Sequence, residues 1–285
     1  MGKSKKNLDS VKRAIPSGIV YILLFIWAAV QIFPLYWLFT FSLKSNSEIF
    51  GGNPLGLPKQ WLWENYEKAL VTGKVASYFI NSVIVTGLTI LITVVVSLMA
   101  SYALTRMRFK LQKPMNAFYM LGLTVPIHSA LLPVFIMLRS MKLVNSYIAL
   151  ILPYTAFAIP MAVMIFSGFL SSIPRELEES ACLDGCSIYG VFFRIIAPLM
   201  KPAVATVAIF TFLQAWNELM FAVVFISDSR YKTLTVGIQS LAGQYTIDWG
   251  VIGAGLVVAT IPTLLVYIFM SKKVQDSLVV GALKG

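Results

Sequence analysis

Six long runs of apolar residues dominate this sequence. They cover residues 14–43, 75–105, 114–138, 144–174, 202–226 and 249–271, and the only Asp, Glu, Lys or Arg within them is Glu218. A helix needs about 20 apolar residues to cross the hydrocarbon layer of a bilayer, so each run is long enough to span it. We therefore predict an all-α integral membrane protein with six transmembrane helices.

The composition supports this interpretation. Hydrophobic residues make up 58% of the 285-residue chain and charged residues 12%, which is about half the share usual in soluble domains. A chain of this length cannot bury so much apolar surface in one aqueous core, so the excess must face lipid. The first run is too long for the core of a signal peptide, and no small-x-small cleavage site follows it before Lys44, so we expect it to remain as a helix.

The topology is predicted from the positions of Lys and Arg, because basic residues in short loops stay in the cytoplasm. With the amino terminus inside, the segments 1–13, 106–113, 175–201 and 272–285 are cytoplasmic and hold most of the 23 basic residues. Both termini are then cytoplasmic, and the protein lies in the inner or plasma membrane. The predicted parts are a tail at 1–13, a transmembrane domain at 14–271 with outer loops at 44–74 and 227–248, and a tail at 272–285.

The net charge of +11 does not indicate a nucleic-acid partner, because the basic residues are scattered over short loops between spans. A metal site is also not expected. Cys182 and Cys186 are too few ligands, and His128, the only histidine, belongs to a distant span. The spans contain neither paired carboxylates nor an H-E-x-x-H motif, so we predict no catalytic residues.

The loop at 175–201 is the most informative segment between spans. Acidic residues gather at its start, which suits the positive end of a helix, and Asp184-Gly185 supplies a stop and a turn. A second amphipathic helix, at roughly 187–196, would bring the chain back to the membrane at Pro198. The pattern predicts a compact knob of two short helices; the alternative is a simple connector.

The same loop carries a specific resemblance. The loop contains Glu179-Ser180-Ala181, then Gly185 after three residues, and Ile195-x-Ala197-Pro198 after nine more. This pattern is similar to the Glu-Ala-Ala...Gly...Ile-x-Leu-Pro loop of permeases from binding-protein-dependent ABC importers. The chain departs from it at Ser180 and Ala197, both small or apolar replacements. Residues 173–179 look like the carbohydrate-uptake branch. The same likeness is found along the whole chain, and the combination resembles the shorter permease of a maltose-type pair; the stretches are 34–44, 79–82, 97–109, 143–147 and 281–285.

The resemblance implies how such a chain works. The knob would sit in a cleft of an ATPase subunit, so the expected coupling residues are Glu179, Ser180, Ala181, Asp184, Gly185 and Pro198. The implied partners are a second homologous permease, two ATPase subunits and an extracytoplasmic sugar-binding protein, besides membrane lipid. No cofactor is expected on this chain, because ATP and Mg would be used by the partners; the chain has no G-x-x-x-x-G-K-[ST] motif.

The fifth run suggests a substrate path. It contains Gln214, Trp216, Asn217 and Glu218, and the resemblance implies that this stretch lies near the translocation pore. An ionised side chain in a span costs roughly 2.5 to 3.5 kcal/mol, so Glu218 should face the interior, water or a partner. Sugars have hydroxyls for amides and carboxylates and apolar faces for Trp216. The alternative is that Glu218 and Asn217 form a buried bond between helices.

Two other classes of protein fit the sequence less well. An ion-coupled secondary transporter usually shows internal repeats and several intramembrane ionisable groups, whereas here Glu218 is almost alone and His128 is better explained as a packed residue than as a proton relay. A membrane-embedded enzyme would need a clustered site. The function predicted from the sequence is therefore the channel subunit of an ATP-driven importer of a sugar, expected to be an oligosaccharide.

Overall fold

The computed structural model describes residues 17–242 and 247–282, and all regular structure within these ranges is helical. The predicted tail 1–13 and the last residues of the predicted tail 272–285 lie outside the described residues. In chain order the helices are α1 (Ser17–Ser42), α2 (Asn46–Phe50), α3 (Glu64–Glu67), α4 (Val75–Arg106), α5 (Gln112–Gly122), α6 (Leu131–Ser140), α7 (Ile148–Leu170), α8 (Glu176–Leu183), α9 (Ile188–Leu199), α10 (Lys201–Trp216), α11 (Met220–Phe225), α12 (Leu234–Gln239) and α13 (Trp249–Ala282).

Four helices are long and apolar enough to cross a membrane without a break. They are formed by Gly18–Ser42, Val75–Arg106, Ile148–Leu170 and Trp249–Phe269, and they correspond to the first, second, fourth and sixth apolar runs. The prediction of an all-helical chain with membrane spans is confirmed at this level. The last of these helices, α13, is longer than expected, because it continues beyond the predicted span to Ala282.

The third and fifth runs do not form single straight helices. The third run is divided between α5 and a segment at Ile127–Ser140, and the two parts are bent by 96°. Pro126 stands directly before the second part with an extended backbone, and its missing N–H and its ring oppose a continuous helix there. The fifth run is interrupted between α10 and α11, where residues 217–219 are not helical.

Close packing of α4 against α7 forms the centre of the bundle. Small polar residues on one face of α4 are buried there, and Ser101 Oγ donates to the carbonyl of Val163 at 3.3 Å. Small side chains let two helix backbones approach closely, which drives helix association in membranes. The buried hydroxyl residues of this face are Thr86, Thr89, Thr93, Ser97 and Ser101.

The two ends of the bundle differ. One end carries α8 and α9, which together we call the knob, and the knob contacts the end of α4. The other end, which we call the loop end, carries α2, α3 and α12. The expectation of a loop followed by a short helix at 44–74 is met there: α3 continues into a wider π-helical turn at Lys68–Thr72.

Candidate functional site

The knob has the two-helix form that the sequence predicts. Helix α8 begins with Glu176, Glu178 and Glu179 in its first turn, where carboxylates favour the positive end of the helix. It ends in a Schellman motif: Cys186 N–H donates to Ala181 O at 2.9 Å and Gly185 N–H to Cys182 O at 3.0 Å.

Gly185 is the residue that makes this turn possible. Its φ of 83° lies in the left-handed region, which residues with a side chain adopt only at a cost. Ser187 then starts α9, because its hydroxyl oxygen accepts a hydrogen bond from Gly190 N–H at 3.3 Å. Helix α9 runs through Pro198 and meets α10 at an angle of 70°.

The predicted coupling residues occupy two different faces of the knob. Ala181 is buried against the membrane helices, whereas Glu179, Ser180, Asp184, Gly185 and Pro198 are exposed. Large apolar side chains share the exposed surface: Leu183 is 89% exposed, Tyr189 74% and Phe193 62%. Exposed apolar side chains beside carboxylates form a surface suited to a protein partner.

Both cysteines of the chain lie in the knob. Cys182 is exposed near the end of α8, and Cys186 is half-buried in the turn that follows it. Neither forms a disulfide.

Glu218 stands at the break between α10 and α11 and caps α11. Both of its carboxylate oxygens accept from Phe221 N–H, at 3.0 and 3.1 Å, and Oε2 also accepts from Ala222 N–H at 3.3 Å. The hydroxyl of Tyr154 on α7 donates to Oε2 at 2.7 Å. The residue is 8% exposed, so these donors replace water around a buried carboxylate.

This arrangement corresponds to the structural alternative for Glu218, since its bond to Tyr154 joins two helices, but Asn217 takes no part in it. Asn217 is exposed and its amide donates to Leu213 O of its own helix at 2.9 Å. One further group approaches the carboxylate: His128 Nε2 lies 3.9 Å from Glu218 Oε1, and the imidazole is 62% exposed. His128 therefore brings the bend of the third run next to the break of the fifth.

Trp216 and Gln214 lie on different sides of α10. Trp216 is 4% exposed, stacks on Phe212 and donates from Nε1 to Ala259 O of α13 at 3.1 Å. No broad face of this indole is open to a sugar in this conformation. Gln214 instead lines a narrow groove between α7 and α10, with Met161 among its neighbours.

At the loop end, the segment after α11 is held by two asparagines that the sequence analysis did not assign to a site. Asn81 of α4 donates to the carbonyls of Arg230 and Lys232, both at 2.9 Å, and accepts from Tyr147 OH at 2.8 Å. Asn145 Oδ1 accepts from Ser227 N–H at 2.7 Å. Both asparagines lie in the stretches 79–82 and 143–147, which resemble the family, and this resemblance is the feature of the sequence that could have identified them.

The segment between these anchors exposes a charged pair. Arg230 Nη2 lies 2.7 Å from Asp228 Oδ2, and this hydrogen bond holds the pKa of the Asp228 carboxyl below its ordinary value. Because both groups face solvent, the pair is screened and adds little to stability.

The first outer loop is organised around Lys44. Its side chain is fully buried, and Nζ donates to the carbonyls of Asn53 at 2.8 Å, Pro54 at 3.3 Å and Gly56 at 2.7 Å. Burial lowers the pKa of the ammonium group below its usual value. One cation thus binds three loop carbonyls, of which those of Asn53 and Gly56 would otherwise need water, while that of Pro54 also accepts from Trp37 Nε1 at 3.0 Å.

Comparison with known proteins gives the family. A family model described as "Binding-protein-dependent transport system inner membrane component" matches residues 93–277, which include the knob and the broken fifth run. The chain belongs to this family. It is a multi-pass membrane permease, the non-catalytic membrane subunit of an ABC transporter.

Relatives and a solved structure agree. The chain is 35% identical to the trehalose/maltose transport system permease protein MalG of Thermococcus litoralis, over 90% of this chain and 93% of MalG. It is 33% identical to the diacetylchitobiose uptake system permease protein NgcG of Streptomyces coelicolor, over 94% and 89% of the two chains. The fold matches a chain of a bacterial alginate ABC transporter, solved with an alginate pentasaccharide-bound periplasmic protein, with a TM-score of 0.63 at 15% identity, over 92% and 94% of the chains.

Proposed function

We propose that this permease is one of two channel subunits of an importer that takes up an oligosaccharide and is driven by ATP. In this proposal ATP and Mg are used by two partner ATPase subunits, a second homologous permease completes the channel, and an extracytoplasmic sugar-binding protein delivers the substrate. The chain itself binds no cofactor, metal or nucleic acid. The names of MalG and NgcG support the oligosaccharide class, since both describe transport of disaccharides.

The observation that carries the proposal is the knob. It is a rigid two-helix projection whose exposed residues combine carboxylates with large apolar side chains, as a surface that docks into a protein cleft requires. We assign Glu179, Ser180, Asp184, Gly185 and Pro198 to the contact with an ATPase, and Ala181 to the inner side that supports it. Nucleotide-driven closure of the ATPases would then move the knob and reorient the channel.

The proposed orientation follows the positive-inside rule, with six spans, both termini and the knob in the cytoplasm and the loop end outside. The bent pairs at 112–140 and 188–216 allow a count of up to six spans. In the second pair we place the span on α10, because α9 belongs to the cytoplasmic knob. The domain limits remain those stated above: tails at 1–13 and 272–285 flank the transmembrane domain at 14–271, with outer loops at 44–74 and 227–248 and the coupling loop at 175–201.

For the substrate path we propose two kinds of role. In the first, Asn217 and Gln214 bind sugar hydroxyls, because amides both donate and accept; this is supported by the exposure of Asn217 and by the position of Gln214 in the groove between α7 and α10. Trp216 and Glu218 shape the path indirectly in this conformation, by fixing the end of α10 and the start of α11. A sugar could reach the indole only if the helices rearrange during the transport cycle.

The experiment is uptake of labelled maltose, trehalose, diacetylchitobiose and longer oligosaccharides into proteoliposomes that contain the whole complex. Wild type is compared with Glu179→Ala, and with Glu176→Ala as a matched control from the same helix turn. ATP-dependent uptake that is lost in Glu179→Ala but kept in the control supports the proposal. Uptake that proceeds without ATP and follows a proton or sodium gradient would replace it with an ion-coupled secondary transporter.

A further inference from the structure

We propose that Arg106 is a positioning residue that locks the knob to two membrane helices through Glu178 and Tyr102. Its importance for transport rests on the function proposed above, whereas its anchoring role can be measured on the isolated chain. The assignment comes from two sets of contacts that meet at one guanidinium group and from an apolar contact beside it.

The first contact is a buried ion pair. Arg106 Nε at the end of α4 lies 2.7 Å from Glu178 Oε1 in the first turn of α8. The two side chains are 7% and 13% exposed, so water screens the pair little. The other carboxylate oxygen of Glu178 accepts from Tyr102 OH at 3.0 Å. One carboxylate of the knob is thus held by two side chains of α4.

The second contact joins the same guanidinium to α7. Arg106 Nη2 donates to the carbonyl of Leu170 at 2.9 Å and to that of Ile173 at 2.7 Å. These carbonyls stand at the end of α7 and just beyond it, where a helix presents unsatisfied acceptors and partial negative charge. A planar guanidinium can hold its charge against a carboxylate while another of its nitrogens donates to two carbonyls, an arrangement that the compact ammonium of a lysine does not reproduce in the same geometry. Arg106 therefore links α4, α7 and α8.

The third contact is apolar and lies beside the ion pair. The ring of Tyr102 packs against Phe192 of α9 with 5.1 Å between ring centroids. A single hydrophobic cluster continues from the membrane helices into the knob; its buried members include Leu98, Phe166, Leu170, Ala181, Ile196 and Met200. Because protein interiors are close-packed, a cluster shared in this way moves as a unit.

These contacts distinguish Glu178 from its neighbours. Glu176 and Glu179 are exposed, whereas Glu178 points inward to the guanidinium. The knob consequently has separate outer and inner acidic groups: an outer face available to a partner and an inner carboxylate that ties the knob to α4 and α7. A displacement of the knob by a partner must then carry both membrane helices with it.

The anchoring role is tested by hydrogen exchange of the backbone amides in α8, measured on the purified full-length chain. In Glu178→Gln we expect these amides to exchange about tenfold or more faster than in wild type, because a buried guanidinium loses its charge partner. Glu176→Gln is the matched control and should exchange as wild type does. Arg106→Lys should give an intermediate rate, since it keeps the charge but not the fork. Equal α8 exchange in Glu178→Gln and wild type would overturn the proposal.

Tyr102→Phe is a milder variant in case the charge changes prevent folding. It removes one donor to Glu178 and keeps the ring against Phe192, so α8 should exchange faster by about three- to tenfold. No change in this variant would also count against the clamp.

In the whole complex, the measured quantity is sugar taken up per ATP hydrolysed. Glu178→Gln and Arg106→Lys should lower this ratio at least about fivefold while ATP hydrolysis continues, because the ATPases then move a knob that is no longer tied to the channel. An unchanged ratio would refute the coupling role of the clamp. If wild type itself shows no ATP-dependent uptake, the proposed function fails, while the exchange experiment still decides whether Arg106 anchors the knob.

Discussion

Replacing Tyr154 with phenylalanine separates a structural role of Glu218 from a role in substrate binding. The substitution removes one hydroxyl and leaves the ring in place. Tyr154 is 2% exposed, and its hydroxyl donates at 2.7 Å to a carboxylate that is itself buried. A hydrogen bond to a charged group contributes about 1.5 to 3 kcal/mol, and no water replaces it at a site this enclosed. We therefore expect a loss of stability of that size.

The assay is thermal unfolding of the purified permease in detergent. A loss of this size corresponds to a fall in Tm of about 2.5 to 5 °C for a chain of this length. Tyr267→Phe is the matched control, because Tyr267 lies on α13 and is 71% exposed, so its Tm should equal that of wild type. If Tyr154→Phe unfolds with the wild-type Tm but transport is lost, the hydroxyl and Glu218 act on the substrate and the structural explanation is refuted.

Four further predictions concern the loop end and the knob. Asn145→Ala should lower the stability by about 2 to 3 kcal/mol, because it removes acceptor contacts to the second outer loop and puts alanine at a φ of 59°. Thermal unfolding measures this loss, and an unchanged Tm would contradict it. Lys44→Met leaves the carbonyls of Asn53 and Gly56 without their donor, and limited proteolysis of the first outer loop should become at least about tenfold faster than in wild type. Gly185→Ala should destabilise the knob by about 1 to 2 kcal/mol, whereas Gly185→Asn should cost less because asparagine tolerates a positive φ. Equal losses of the two variants in thermal unfolding would show that backbone strain at this position is not the cause. Asp228 has a depressed pKa when folded, so its bond to Arg230 stabilises the second outer loop above the ordinary carboxyl pKa and is lost as the pH falls through the folded value. The protection of amides in that loop, taken relative to their intrinsic exchange rate at each pH, should fall slightly and only at acid pH, and an identical fall in Asp228→Asn would exclude this titration.

The sequence was sufficient to predict the four unbroken helices that are long and apolar enough to cross a membrane, because lipid imposes a length and an apolar composition that can be read locally. It did not predict which of the apolar runs form straight helices and which are bent. Pro126 marks the bend in the third run and could have been used to predict it, but Pro34, Pro153, Pro160 and Pro262 lie inside continuous helices. Whether a proline breaks a membrane helix depends on what its neighbours offer the freed backbone groups, which a single sequence does not contain.

The knob was predictable for a similar reason. An acidic start, a glycine stop and a serine that begins the next helix are local signals, and the structure contains all three. The polar residues of the fifth run were harder to interpret. A polar side chain in a span is expected to have a role, but its polarity does not show which neighbour it contacts. Glu218 caps α11 and Trp216 packs against α13, and only the tertiary structure decides between these partners and a sugar.

Pairings between distant residues were not accessible from the sequence. Arg106 and Glu178 both lie in stretches noted for their family resemblance, but no local pattern brings the end of one span to the first turn of the knob. The same holds for Asn81 and the second outer loop, which are joined across 149 positions of the chain. Contacts of this kind require the packed bundle.

The positions of the cysteines offer a practical advantage. The chain has two, and both lie within a few residues of the turn in the knob. A maleimide dye added to the unmodified protein will attach at Cys182, without any engineered substitution. Protection of this thiol on addition of a candidate partner would report occupancy of the knob, and the emission of the attached dye would follow binding and release in real time.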